Sequence, residues 1–267
     1  MDIIILTGSE KRHDFFRKTL SNEKKIKVLA SYCEGKEKSL ENRTKDNPKS
    51  SLLELKHVKD RKNSENQFFD PLIAKIKDNS NPHFIRKGAI NDQKIVNKIM
   101  QMKPKLLICY GSSLIKSKLL QNFKGYFLNV HLGLSPYYRG SGTNIWPLIN
   151  NEPHMVGATF MHIDEGIDTG KVIHQIRADI FEGDSPHDIG NRLIIKMTKV
   201  YKELILKFDS LKIPKQISCD GKLYLRKHFD EKACEELYRN FSNNMIEKFL
   251  KSNKKMKPIV INSIFKP

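Results

Sequence analysis

Cysteine is scarce. The 267 residues hold four, Cys33, Cys109, Cys219 and Cys234, and none forms a CxxC pair. That excludes a disulfide framework or a cysteine-built zinc site as the organising device, and the four read as reduced thiols of a cytoplasmic protein. Long apolar runs are missing too. No stretch approaches the roughly 18 residues of a membrane helix, so no membrane association is expected. The opening Met1-Asp2-Ile3-Ile4-Ile5-Leu6 lacks the basic segment of a secretory leader and reads as a buried first strand. No internal repeat is visible. His154, His162 and His174 have no carboxylates at ligand spacing, so no metal site is expected. Acidic residues are outnumbered, with 30 Asp and Glu against 48 Lys and Arg, a net charge of +18. Such a field suits nucleic acid or a small anionic substrate. Lys-rich text with many Asn and Ile also arises from AT-rich coding, and the charge does not choose between these.

What is there alternates between strand and helix. Ile3 to Leu6 is a strand ending at Gly8, followed by helical text from Glu10 to Leu20. A glycine between a first strand and a helix suits a doubly wound α/β fold and could seat a phosphate. Ile26 to Tyr32 is a second strand. Residues 34–80 read as a helical insertion. Leu52, Leu53, Leu55 and Val58 stand at helical spacing, with a second helix at Phe68 to Ile76 and a solvated face as the simpler role. Phe84 to Ile90 reads as an edge strand. Asn91-Asp92 caps a helix reaching Met102. The continuous apolar run Leu106 to Tyr110 is a strand of a parallel sheet covered on both faces. Thr143 to Leu148 reads as a short helix in which Trp146, the single tryptophan, is a core anchor. Lys171 to Ile176 is a strand. Ser185-Pro186-His187-Asp188 opens a helix running to about Phe208, with His187 expected at the surface. Residues 1–212 are expected as one domain. Residues 213–267 are expected as a small C-terminal extension with a helix near Glu231 to Lys251, a candidate dimer contact.

The densest run of Gly, Pro, Asn, His and Asp lies between Phe127 and Gly170. Phe127 to His131 is a strand whose alternation puts Asn129 and His131 on one face. A loop with Gly133, Pro136, Gly140 and Gly142 follows, then a strand from Ala158 to Ile163 and the turn Asp164-Glu165-Gly166-Ile167-Asp168-Thr169-Gly170. An amide, an imidazole and a carboxylate can meet where the two strands end. Any one of them alone could be satisfying loop backbone.

Asn129-Val130-His131, Pro136, Arg139-Gly140, Gly157-Ala158-Thr159 and Ile167-Asp168-Thr169-Gly170 resemble the motif of the folate-dependent formyltransferases. In that superfamily the Asn and the final Asp stand about 39 residues apart, as here. The resemblance covers roughly residues 82–200. Where most members read His-x-Ser-Leu-Leu-Pro, this chain has Gly133 for the serine and Ser135 for the second leucine. The resemblance implies a mostly parallel, Rossmann-like sheet and 10-formyltetrahydrofolate as formyl donor. It implies Asn129 and His131 as oxyanion donors and Asp168 as the group that holds the imidazolium and takes the amine proton. Folate contacts are then expected at Gly111, Leu114, Ile115, Ile163, Asp164, Gly166 and Ile167. Acceptor contacts are expected at Gly8, Ser135, Pro136, Arg139 and Gly140, with Arg139 either on an anionic group or pinning the loop.

The acceptor follows by elimination. The C-terminal extension is too short for the barrel with which methionyl-tRNA formyltransferases hold tRNA. The loop at Gly8 is too sparse for a glycinamide-ribonucleotide enzyme, and the regulatory domain of formyltetrahydrofolate hydrolase is not found. The remaining expectation is the amine of a nucleotide-linked amino sugar. A basic RNA-binding module on a dead scaffold is the reading from another class.

Overall fold

The computed structural model describes residues 1–37, 39–253 and 256–265. Residue 38 of the expected insertion and residues 254, 255, 266 and 267 of the expected extension lie outside them. Ile3, Ile4, Ile5 and Leu6 are all fully buried, and a strand without a polar face must be covered on both sides. They form β1 (Asp2–Gly8), which leads through α1 (Lys11–Ser21) to β2 (Lys27–Glu34). Next come α2 (Leu40–Asp46), α3 (Leu52–Ile73), β3 (Pro82–Ile85), α4 (Gln93–Met102) and β4 (Leu106–Tyr110). The chain continues with α5 (Ser117–Asn122), β5 (Tyr126–His131), β6 (Tyr138–Gly140), α6 (Trp146–Ile149), β7 (Gly157–Met161) and β8 (Val172–Arg177). It closes with α7 (Pro186–Leu206), β9 (Lys222–Tyr224), α8 (Glu231–Ser242) and α9 (Met245–Leu250).

Seven strands make one sheet in the order β3-β2-β1-β4-β5-β7-β8. The first five are parallel, while β7 runs antiparallel to both β5 and β8. Alternation along β1 divides the core. Ile3 and Ile5 pack with Phe15, Phe16, Phe69, Leu193 and Tyr201 on the side of α1, α3 and α7. Ile4 and Leu6 face Ile90, Val96, Ile99 and Leu119 on the side of α4 and α5. The fold is the expected doubly wound, mostly parallel α/β sheet. From β1 the chain winds outward to β3, then crosses back to β4. Between β1 and β4 the connections diverge, and the crevice beyond their carboxyl ends is where this architecture binds ligands.

Several element boundaries depart from the sequence expectation. Residues 52–73 form one helix rather than two, and Pro71 lies inside it, two residues before its end. That helix is not a solvated face. It packs against α1, α7 and α8 and buries His57, Val58, Ser64, Glu65 and Phe69. The expected strand at 84–90 is displaced to 82–85, since Gly88 takes a left-handed turn at φ 92°. The helix expected at 231–251 is broken by Asn244 at φ 56°. The chain after 212 returns to the body. β9 pairs with β6, and the Val260 backbone exchanges two 2.8 Å hydrogen bonds with Gln175 on β8. Among the described residues no helix is long and apolar enough to cross a membrane.

Candidate active site

A cavity of about 850 Å³ opens at the carboxyl ends of β1, β4 and β5. Gly8 and Gly111 line it at the divergence between β1 and β4. The ring of His13 fills the space between them, so that a Cβ at Gly111 would lie 2.4 Å from its Nε2. Burial and the neighbouring Arg12 push the His13 pKa down.

Asn129, His131 and Asp168 all reach the cavity wall. The Asn129 side-chain amide has no hydrogen-bond partner among the described residues. His131 is tightly held. Its Nε2 lies 3.0 Å from the Tyr138 carbonyl oxygen, an acceptor only, so Nε2 bears a hydrogen. Thr143 Oγ1, 3.1 Å from the same nitrogen, gives its own hydrogen to the Leu132 carbonyl. On the other side of the ring, Nδ1 faces Asp168 Oδ2 at 3.2 Å. That oxygen also accepts the Gly140 N–H at 2.8 Å. Asp168 reaches this position from a left-handed backbone at φ 53°, which Asp tolerates better than most residues.

His131 Nε2 is committed to the Tyr138 carbonyl and Nδ1 faces Asp168, so the donor on the cavity wall without a partner among the described residues is the Asn129 amide. The departure at Gly133 explains the ring's position. A Cβ there would stand 2.4 Å from His131 Nε2 and 2.7 Å from Thr143 Oγ1.

The expected folate positions Gly111, Leu114, Ile115, Ile163, Asp164, Gly166 and Ile167 lie together along one side of the cavity. Leu114 is 64% exposed, an apolar side chain waiting at the lip. Asp164 shapes its own turn by accepting from Gly166 N at 3.1 Å and Thr169 Oγ1 at 2.8 Å. The 111–116 loop is fixed by a residue the sequence reading passed over. Glu34, with no exposed surface, accepts from Ser113 N at 2.6 Å, Gly88 N at 2.7 Å and Lys87 Nζ at 3.0 Å.

Of the expected acceptor residues, Gly8 and Gly140 line the cavity, while Ser135, Pro136 and Arg139 do not. Ser135 is scaffold. Its N–H donates to Thr159 Oγ1 at 3.0 Å and its carbonyl accepts from Gln175 Nε2 at 2.6 Å, just before a cis bond to Pro136. Alternation along β6 turns Arg139 away from the side of Gly140. Trp146 is a core anchor, 8% exposed and stacked on Tyr224 with centroids 4.4 Å apart.

The side of the cavity away from 111–116 was not legible in the sequence. His57, Arg61 and Glu65 from α3, Arg43 from α2, and Tyr224, Arg226 and Phe229 from the C-terminal segment line it with His187. His187, expected at the surface, is 6% exposed, because α3 and Phe229 close over the start of α7. Its ring lies 4.8 Å from that of His57. Burial, with Arg61 nearby, pushes His57 down to about 3 and His187 to about 4.

A model of the formyl transferase family matches residues 1–205. The chain belongs to the formyl transferase family. Over 207 residues it is 26% identical to a methionyl-tRNA formyltransferase of Finegoldia magna, covering 73% of this chain and 66% of the relative. Over 123 residues it is 30% identical to a GDP-perosamine N-formyltransferase of Brucella melitensis, covering 46% and 47%. The chain spans 66%, 38% and 38% of the length of three methionyl-tRNA formyltransferase relatives. A sugar N-formyltransferase from a Shewanella species shares the fold at TM-score 0.57 and 19% identity, covering 86% of this chain and 78% of that one. A 4-N formyltransferase from Francisella tularensis does so at 0.56 and 21%, covering 85% and 77%. In this formyltransferase-family chain the matched residues contain the whole Asn129, His131 and Asp168 set, and Tyr224, Arg226 and Phe229 lie beyond them.

Proposed function

We propose that this chain transfers a formyl group from 10-formyltetrahydrofolate to the primary amine of a nucleotide-linked amino sugar. The observation that carries the reading is the unpartnered Asn129 amide beside the His131–Asp168 pair, between an apolar-lipped slot and a basic recess. The amine nitrogen attacks the formyl carbon, and the carbonyl electrons move onto oxygen. Asn129 donates to that oxyanion. His131, held with Nε2 on the Tyr138 carbonyl and Nδ1 facing Asp168, stands beside that oxygen and adds positive charge when protonated. Asp168, anchored through one oxygen, takes the proton of the attacking amine. Collapse of the intermediate breaks the bond to N10, which receives that proton from Asp168, leaving a formamide and tetrahydrofolate. The folate occupies the side lined by Gly111 to Ile115 and Ile163 to Ile167.

The acceptor class draws support from the neighbours. One solved structure is a formyltransferase from Anoxybacillus kamchatkensis in complex with a UDP-linked formamido sugar and tetrahydrofolate. Another is a sugar 3N-formyltransferase in the presence of dTDP and 5-N-formyl-THF. A methionyl-tRNA acceptor is the second reading, favoured by the Finegoldia relative and the +18 charge. The test is tetrahydrofolate release from 10-formyltetrahydrofolate, measured alone and with amino-sugar nucleotides, glycinamide ribonucleotide or methionyl-tRNA. Release that requires an amino-sugar nucleotide is expected. Release with water alone would make the protein a hydrolase, and no release with any partner would overturn the transferase reading.

A further inference from the structure

A glycine-ended first strand leading into a helix is an ordinary seat for phosphate. Here that seat already holds an anion. The Glu10 carboxylate stands at the start of α1, 2.7 Å from Arg12 Nη2 and 3.0 Å from His13 Nδ1. Glu65 meets the same Arg12 at 2.6 Å. Burial alone would raise the Glu10 pKa, yet Arg12 and His13 hold it well below the usual carboxylate range. A phosphate placed there would meet two ionised carboxylates.

The cation that remains is on α3. Arg61 lines the cavity without a hydrogen bond or contact ion pair to any described residue, since the two carboxylates that attract it are bound to Arg12. His187 stands within its field, with Nε2 buried and without a hydrogen-bond partner. Arg43 on α2 lies close enough to Arg226 for the two charges to repel, and both line the cavity from separate segments.

We propose that Arg61 and His187, with Arg43 and Arg226 nearer solvent, seat the diphosphate of the acceptor, on the α3 face instead of at the start of α1. This rests on the acceptor reading above and names its recognition residues. Arg61 supplies the planar fork that matches phosphate oxygens, and His187 supplies a single hydrogen bond.

The test is calorimetric titration of the full chain with inorganic pyrophosphate and with UDP, alongside 5-formyltetrahydrofolate. Both diphosphates are expected to bind. Arg61→Gln should weaken both by about tenfold or more while folate binding persists, and Arg61→Lys should recover part of the loss. Should Arg61→Gln fail to fold, Arg43→Gln at an exposed position is expected to weaken pyrophosphate binding several-fold. Wild-type protein that binds neither diphosphate, or an Arg61→Gln protein that binds them unchanged, overturns the seat. Arg61-dependent diphosphate binding without formyl transfer would uphold the seat and sink the transferase reading. Formyl transfer with an unchanged acceptor KM in Arg61→Gln would do the reverse.

Discussion

Asn129 and His131 leave the same face of β5 for different tasks. The amide is free to donate, whereas the imidazole is locked between an accepting carbonyl and Asp168. Asn129→Ala is therefore expected to lower the rate of tetrahydrofolate release by about 10² to 10³ with the thermal midpoint unchanged. Activity above a tenth of wild type would remove Asn129 from the mechanism. Gly133 is the second sensitive position. Gly133→Ser restores the residue usual in resembling proteins, but its Cβ would fall 2.4 Å from His131 Nε2. The ring must then leave Tyr138, and turnover is expected to fall at least tenfold, about 1.4 kcal/mol of barrier, with folate affinity kept. The trio was legible because its members sit in a short, compositionally distinct stretch. The separate roles of Asn129 and His131 were not, because they depend on where Tyr138 and Thr143 place a carbonyl and a hydroxyl.

The β4–α5 loop, on the side proposed for the folate, has little internal reason to hold its shape. It borrows one from β2, through a buried Glu34 that accepts from two backbone N–H groups and a lysine. Removing the carboxylate strands all three donors. Glu34→Ala is expected to destabilise the protein by about 3 kcal/mol in urea unfolding and to weaken 5-formyltetrahydrofolate binding about tenfold. Equal folate affinity in a folded variant would show that the loop positions itself. Strand and helix types were readable from periodicity. Their boundaries were less so, because Asn244 between α8 and α9 acts through backbone geometry that hydrophobic spacing does not encode.

Across the whole molecule, the insertion and the C-terminal segment are docked on the catalytic body through neutral, buried imidazoles. His57 and His187 have folded pKa values of about 3 and about 4, against an ordinary 6.5. Burial lowers His13, His162 and His174 in the same direction. The unfolded chain takes up these protons below about pH 6.5 and the folded chain does not. The stabilisation is therefore complete above pH 6.5 and is lost as pH falls toward 4, at about 1.4 kcal/mol per unit for each fully neutral imidazole. Glu10 and Glu65, whose pKa values lie below the ordinary 4.5, contribute stability that is lost only at lower pH. The urea midpoint is expected to drop between pH 7.5 and 5, with a shallower slope in His187→Gln. A midpoint independent of pH across that window would contradict this burial.

Sequence by itself was enough for the doubly wound sheet, since an apolar run covered on both faces and a period-2 strand have few other solutions. It was enough too to bring Asn129, His131 and Asp168 together as candidates, since they are close along the chain, and all three share one cavity wall. Only the tertiary structure drew together the residues of the proposed acceptor side. Arg43, Arg61, His187 and Arg226 are scattered through Lys-rich text and differ from their neighbours in nothing but location. Packing of α3 and the C-terminal segment over the start of α7 desolvates Arg61 and His187, and desolvation distinguishes a binding charge from a solvated one.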